Sequence, residues 1–274
     1  MKYKQALNGD IMKLQDRDYT KYANEEEKDA YAAEEKYANQ KGLKNNRQYP
    51  RFSHPNAEVR KFIWHKRSLF PNNYLHFTEY RNVDFRSEAN AYSKIIYSAS
   101  NEHDVQEYIK EDMKWFIPGS IFLDYNFGHH DAYLFPEQSL GNEYVADYML
   151  LGKNSDGYSI VLVEFEKPNT PYLIASSNSE SESVRKGITQ IRDWKRWIDQ
   201  NRDYFMKNIG LNKFGIDIPI YRIFYYLVVS RRDYMTDIAK EVRSQSMYEM
   251  NNLKIVTFDR LADNVVKLQN CHSW

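Results

Sequence analysis

The chain has 274 residues, and its 38 Lys and Arg are balanced by 38 Asp and Glu, so the formal net charge is zero. Bulk charge therefore excludes a strongly basic nucleic-acid-binding protein, although it does not exclude a local basic groove. Hydrophobic residues make up 42% of the chain and charged residues 28%, which excludes general disorder and allows a core to form.

The single cysteine, Cys271, excludes an internal disulfide framework and a cysteine-rich zinc site. Residues 1–18 lack the apolar segment of a secretory signal, and no stretch is long and apolar enough to span a bilayer. We therefore expect a soluble, cytoplasmic protein with no membrane partner. The sequence also lacks a glycine-rich phosphate loop, so no nucleotide cofactor is expected.

Residues 1–100 are predicted to form a smaller N-terminal α+β region, with a regulatory or oligomerising role and a fold that the pattern does not define. Within it, residues 25–40 are rich in Ala and Glu and favour a helix. The apolar positions of this helix form only a thin stripe, made of Tyr31, Ala32, Tyr37 and Ala38. Glycine, asparagine and proline then predict a loop over residues 40–55.

Residues 101–274 are predicted to form a second domain. A helical period begins at Glu102 and continues to Phe116, where Pro118 and Gly119 end it. The other elements follow in chain order: strands over 144–151 and 158–165 joined by a turn at 154–157, a helix over 183–207, a buried strand over 221–229, a helix over 235–250, an edge strand over 253–258 and a closing helix over 260–268. This order predicts an α/β domain with a mixed β-sheet flanked by helices.

Three carboxylates stand out in the predicted hairpin. Asp147 interrupts an apolar strand, while Glu164 and Glu166 end the next strand and share one of its faces. Buried carboxylates placed side by side repel one another unless a cation neutralises them. Oxygen ligands of this kind suit Mg²⁺ or Mn²⁺. The alternative is a set of surface carboxylates at a sheet edge, in salt bridges with Lys153 or Lys167.

The segments 141–148 (GNEYVADY), 160–168 (IVLVEFEKP) and 184–197, the last with Gln190, Trp194 and Trp197, carry a resemblance to a known family. They resemble the nuclease domain of the Shedu anti-phage proteins, which belong to the PD-(D/E)XK superfamily. The resemblance covers roughly residues 102–268. It implies a restriction-endonuclease-like core, a role in defence against phage, and assembly as a homo-oligomer.

The resemblance also implies roles for particular residues. The acid of the superfamily's second strand falls on Asp147, the Glu of its E-x-K motif on Glu164, and the Gln of the following helix on Gln190. One departure is that Glu166 occupies the usual lysine position, where it could bind metal instead. Lys167, the next residue, would point to the opposite face unless Pro168 distorts the strand. The helix ahead of the sheet could supply an extra acid, Glu107 or Glu111.

The predicted helix after the second strand is rich in cations. Beside a metal site these cations would form a local track for phosphates, whereas taken singly they are typical of a solvated helix face. The predicted nucleic-acid-binding residues are Arg185, Lys186, Arg192, Lys195 and Arg196. Trp194 and Trp197 are predicted to be core, and the adjacent His129 and His130 are predicted to be loop or surface residues, because no matching ligand spacing completes a zinc site.

The reading that these patterns favour is a metal-dependent DNA endonuclease that acts on phage DNA. Asp147, Glu164 and Glu166 would bind Mg²⁺ or Mn²⁺, with Gln190 and Lys167 as further catalytic residues. A second hypothesis is a non-cleaving nucleic-acid-binding or regulatory module on the same fold. A third is an interaction protein that works through its tyrosine-rich N-terminal region. Metal binding separates the first from the third, and cleavage separates the first from the second.

Overall fold

A computed structural model of the chain describes residues 12–40 and 54–274. The chain divides into two compact units, one formed by Lys13–Tyr74 and the other containing Leu75–Trp274. Most of the loop predicted over residues 40–55 lies outside the described residues. The domain boundary predicted at residue 100 falls within the second unit.

The first unit contains two helices, α1 (Glu25–Gln40) and α2 (Ala57–Arg67). Its core is a small apolar cluster, and helix α1 confirms the helix predicted over residues 25–40. The cluster consists of Tyr19, Ala30, Val59, Phe62 and Ile63.

The buried face of α1 differs from the predicted apolar stripe. It is formed by Glu27, Ala30, Glu34 and Ala38, and the partly buried Tyr31 packs against the core cluster. The predicted stripe was wrong at Ala32 and Tyr37, which are exposed. The reason is that two glutamates are buried as ion pairs: Arg17 pairs with Glu27, and Arg67 pairs with Glu34. Paired and hydrogen-bonded charges can enter a core, and a count of apolar residues overlooks them.

The second unit is built on a five-stranded mixed β-sheet whose strands lie side by side in chain order. The strands are β1 (Asp131–Leu140), β2 (Tyr144–Asn154), β3 (Gly157–Phe165), β4 (Ile223–Val228) and β5 (Leu253–Val256). Strands β1, β2 and β3 are antiparallel, and β3, β4 and β5 are parallel. The helices are α3 (Phe85–Ser98), α4 (Glu102–Glu111), α5 (Phe116–Gly119), α6 (Glu182–Asn208), α7 (Asp237–Glu249) and α8 (Phe258–Leu268).

Helices cover both faces of the sheet. On one face, Gly187 of α6 lies against Leu227 of β4 and Glu166. On the other face, Phe165 of β3 packs edge-on against Phe258 of α8, with ring centroids 5.2 Å apart. This three-layer arrangement explains why β3 and β4 are continuous apolar runs: a strand that is covered on both faces has no polar side.

The structure confirms the predicted pairing of the strands over 144–151 and 158–165, and the helix from about residue 183 packs on the sheet as α6. It also confirms the apolar stripe of that helix, including buried Trp194 and Trp197, and the exposure of His129 and His130.

The single helix predicted over 102–116 was wrong. Helix α4 ends at Glu111, Met113 takes a positive φ of 49°, and Pro118 and Gly119 lie in the separate short helix α5.

Within the described parts of the chain, 12–40 and 54–274, no helix combines the length and the apolar character needed to cross a membrane.

Candidate active site

The β2–β3 hairpin brings Asp147 and Glu164 together. Tyr148 faces Val163 across the antiparallel pair, and one step further along this register Asp147 faces Glu164. Side chains of residues that face each other across two strands lie on the same side of the sheet. The Phe165 amide donates a hydrogen bond to Asp147 Oδ2 at 2.6 Å, which holds the aspartate against the end of β3.

Glu166 extends the same arrangement by two residues. Its amide donates to the carbonyl of Val228 at 2.9 Å, so the ladder between β3 and β4 continues past the end of β3. The carboxylate is buried, and Glu166 Oε1 lies 2.8 Å from the Lys186 ammonium, which comes from α6. The sequence comparison predicted that Glu166 occupies the lysine position of an E-x-K motif. In the structure, a lysine from helix α6, Lys186, lies against it.

Gly187 allows α6 to come this close to the sheet. A Cβ atom added at Gly187 would lie 2.5 Å from Leu227 Cδ1 and 3.1 Å from Glu166 Cγ. Such distances force neighbouring atoms or the helix to shift. The glycine therefore sets the distance between Lys186 and Glu166.

We expect Gly187→Ala to destabilise the protein by about 1–3 kcal/mol, because overpacking outweighs the gain of about 1 kcal/mol in helix propensity. Chemical denaturation measures this directly. Thr189→Ala, at an exposed position of the same helix, is the control and should stay within about 0.5 kcal/mol of the parent. Equal stability of both variants would contradict the close approach of α6.

Helix α4 contributes two polar residues that the sequence analysis missed. The Gln106 side chain hydrogen-bonds to Asp147, and the charge of Glu102 acts on Asp147, Glu164 and Glu166. The acid of α4 whose charge acts on all three carboxylates is therefore Glu102. The predicted Glu107 and Glu111 are exposed, so that expectation was wrong. Helical periodicity could have found Glu102 and Gln106. They are four residues apart and flank the buried side of α4, whereas Glu107 and Glu111 fall on its opposite side.

The three carboxyl groups resist ionisation. Burial raises the pKa of Glu164 well above the ordinary value of a glutamate, and the charges of Asp147 and Glu166 raise it further. Burial likewise raises the pKa of Asp147, although its hydrogen bonds from Phe165 and Gln106 oppose the change. Burial also raises the pKa of Glu166, against the effect of Lys186. The site is therefore short of positive charge.

The donors fit a divalent cation that prefers oxygen. Glu164 Oε2 is buried and has no hydrogen-bond partner among the described residues, so a proton or a cation has to satisfy it. In the same described ranges, no three His, Cys, Asp or Glu side chains already surround one point as metal ligands. Asp147 and Glu166 each direct an oxygen to a protein partner, the Phe165 amide and the Lys186 ammonium. Mg²⁺ and Mn²⁺ are commonly coordinated by a few carboxylates of this kind and keep water molecules at their other coordination positions.

An open cleft of about 560 Å³ runs along α6 next to this site, and we call it the α6 cleft. It is lined by Tyr144, Glu182, Arg185, Lys186, Thr189, Gln190 and Asp193. Gln190 therefore lies one helical turn beyond Lys186 on the wall of the cleft. Two cations and two acids line it, so the cleft has no excess of positive charge.

The structure distributes the other predicted residues unevenly. Arg196 pairs with Asp193 at 3.0 Å, Arg192 is exposed, and Lys195 lies on the flank of α6 away from the cleft, at about 100° per residue around the helix. Lys167 is exposed, and its charge is the weakest of those acting on Glu166. Of the predicted cations, Arg185 and Lys186 alone line the α6 cleft.

The raised pKa values predict how stability depends on pH without metal. A carboxyl group whose pKa is higher in the folded state stabilises the fold below its unfolded pKa, and this contribution is lost as pH rises through the folded pKa. In a chelator we therefore expect the unfolding temperature to fall as pH rises from about 5 to about 10, since burial raises the pKa of Asp147 to about 7 and that of Glu164 to about 10, and to fall less in Glu164→Gln. Calorimetric scans test this. Equal pH profiles for the two proteins would contradict a buried, uncompensated Glu164.

No curated protein matches the chain. A model of one family, described as the C-terminal part of the Shedu protein SduA, matches residues 99–262, which include β1 to β5, the three carboxylates and α6. This match spans more than half of the chain, and the chain therefore belongs to the Shedu family.

Proposed function

We propose that the protein is a metal-dependent DNA endonuclease that acts in defence against phage. The observation that carries the proposal is a group of three carboxylates whose pKa values are all raised: Glu164 and Glu166, which are buried, and Asp147, which is half-buried. Family membership points to anti-phage defence. The chemistry of the site supports hydrolysis of a phosphodiester.

The fold supports the same proposal. The mixed five-stranded sheet carries the acids at the end of a hairpin, with one helix ahead of it and one behind it. We propose that residues 101–274 form a restriction-endonuclease-like domain of the PD-(D/E)XK kind, in which Glu164 is the glutamate of the E-x-K motif. Residues 1–100 would then be a regulatory or oligomerising region. The homo-oligomeric state and the cytoplasmic location remain predictions.

We assign the roles of the residues from their positions. A divalent cation, when bound, activates water and neutralises charge on the phosphate. Asp147 and Glu164 would hold this cation, and the Phe165 amide keeps Asp147 in place. Glu166 would be a third ligand, balanced by Lys186.

Three further residues would act beside the cation. The Lys186 side chain is 57% exposed and can offer its ammonium to a phosphate oxygen in the α6 cleft. Gln190, on the wall of that cleft, would orient water or the DNA backbone. Lys167, which is exposed next to Glu166, would contact the DNA backbone.

A second candidate function is a non-cleaving nucleic-acid-binding or regulatory module. It is favoured by one observation, the presence of Glu166 where the superfamily has lysine, since a lysine there stabilises the charged transition state. This alternative keeps the fold and DNA binding and omits cleavage.

Incubation of the purified full chain with supercoiled and linear DNA separates the two. We expect nicked or linear products in the presence of Mg²⁺ or Mn²⁺ and intact DNA in a chelator. If the protein binds DNA but leaves it uncut with every divalent cation tested, the nuclease proposal fails and the binding module replaces it.

A further inference from the structure

A second cleft lies at the opposite edge of the sheet from the β1–β2 hairpin and is separate from the carboxylate site. It has a volume of about 640 Å³, and we call it the β5 cleft because the edge strand β5 forms its floor. The charged residues among those that line it are Arg232, Lys240, Arg243, Lys254, Arg260, Asp124 and Asp263. Five cations against two acids leave this cleft with an excess of three positive charges, whereas the α6 cleft has none.

Both acids are already paired, Asp263 with Arg232 and Asp124 with Arg260. The Asp124 side chain is only 4% exposed, and Arg260 forms an ion pair with it. It also accepts hydrogen bonds from the Tyr226 hydroxyl and, at 3.2 Å, from Asn264 Nδ2. Burial raises the pKa of Asp124, but the bonds from Arg260 and Tyr226 outweigh burial and hold it below its ordinary value. Asp124 is thus an internal carboxylate that positions Arg260.

Among the described residues, Lys240, Arg243 and Lys254 form no ion pair with an acid that lines the cleft, and Lys254 donates to the Asp124 carbonyl. Burial lowers the pKa of Lys254, and the charge of Arg260 lowers it further against the opposing charge of Asp124. Arg243 Nε is buried without a hydrogen-bond partner in the part of the chain that the structure describes. Lys240 is more than half exposed and pairs only with Asp237 on its own helix. An anion in the cleft would relieve the repulsion between Lys254 and Arg260 and would give Arg243 a partner.

We propose that the β5 cleft binds phosphate groups of a ligand, with Lys240 and Arg243 on α7 as the recognition residues and Arg260 as a positioned cation. Planar guanidinium groups offer parallel donors that match phosphate oxygens. The same chemistry is presented by a free polyphosphate and by the backbone of a nucleic acid. The site is separate from the carboxylate site, because it lies along the edge strand β5, whereas the carboxylates lie on or next to the inner strands β2 and β3, and the two sites share no residue.

The test uses the full chain in a chelator, so that no divalent cation links phosphate to the carboxylates. Inorganic pyrophosphate is titrated calorimetrically, and a fluorescent DNA duplex is titrated by anisotropy. We expect the parent to bind at least one of the two probes. Lys240→Gln/Arg243→Gln should weaken that binding by at least about tenfold. If pyrophosphate binds, the ligand of the cleft is a free polyphosphate. If DNA binds and pyrophosphate does not, the ligand is the phosphate backbone of a nucleic acid.

The matched control removes two cations elsewhere, in the variant Lys207→Gln/Lys213→Gln, which changes exposed residues at the far end of α6 and after it. This control should keep the parent affinity. The single variant Lys240→Gln, at an exposed position, covers the case in which the double variant unfolds. Polyglutamate, a carboxylate chain, is titrated as a third probe that carries no phosphate. The proposal is overturned if neither phosphate probe binds, whether or not polyglutamate does, or if the control loses as much affinity as the double variant.

Discussion

Glu164→Gln is expected to abolish DNA cleavage, lowering its rate by about 10³-fold or more, which corresponds to about 4 kcal/mol of activation free energy. The substitution keeps the size of the side chain and removes the charge that would hold a cation. Because the pKa of Glu164 is raised by burial, the amide should fold at least as well as the acid at neutral pH. The measurement is the rate of plasmid nicking under single-turnover conditions with Mn²⁺.

The matched control is Glu107→Gln, which removes an exposed acid of α4 on the side away from the site. It should cleave at the parent rate. Asp147→Asn should behave as Glu164→Gln does, because the two residues face each other across the hairpin. Undiminished nicking by a folded Glu164→Gln protein would rule out the assignment of this residue as a cation ligand.

Glu166→Lys is expected to lower the cleavage rate by about 100-fold, although it introduces the lysine that the proposed E-x-K motif would have at this position. The new ammonium would be almost fully buried. It would lie beside the Lys186 ammonium, so the substitution replaces an ion pair with two like charges. If Glu166 is a ligand, the same change should also weaken Mn²⁺ binding. Both quantities are measured on one preparation, alongside its unfolding temperature.

The charge swap Glu166→Lys/Lys186→Glu tests whether Glu166 acts as a cation ligand or only as the ion-pair partner of Lys186. It restores an ion pair between β3 and α6, so we expect it to recover stability but not cleavage. If the single variant cleaves as fast as the parent or faster, Glu166 only fills a vacated lysine position and is not a ligand. If the swap restores full cleavage, the ion pair is what matters.

Much of the fold of the second unit could be predicted because its elements are locally distinct. Strands β2, β3 and β4 are apolar runs bounded by turn residues, and α6 carries an apolar stripe that repeats every three or four residues. Strand β1 was missed because Pro136 interrupts it and Glu137 takes a positive φ of 52°, so its sequence shows neither alternation nor a clean apolar run.

Only the part of the site that lies on the two strands of the hairpin could be predicted from the sequence. Alternation along β3 and the hairpin register bring Asp147, Glu164 and Glu166 to one side of the sheet, and both rules act over short stretches of sequence. The contact between Lys186 and Glu166 joins two elements separated by a long loop, and it depends on Gly187. No periodicity within one element reports such a contact. Lys186 was therefore predicted as one cation among several that contact DNA.

Calorimetric titration with Mn²⁺ tests whether Asp147, Glu164 and Glu166 form a site for a divalent cation. We expect the parent to bind Mn²⁺ and to release protons between about pH 6 and about pH 8, because carboxyl groups with raised pKa values must ionise to become ligands. Buffers of different ionisation enthalpy measure that release. Glu164→Gln should lose the binding, and Glu182→Gln, at an exposed position in the α6 cleft, should keep it. Absence of Mn²⁺ binding by the parent, or equal binding by Glu164→Gln, would show that these carboxylates do not form a cation site.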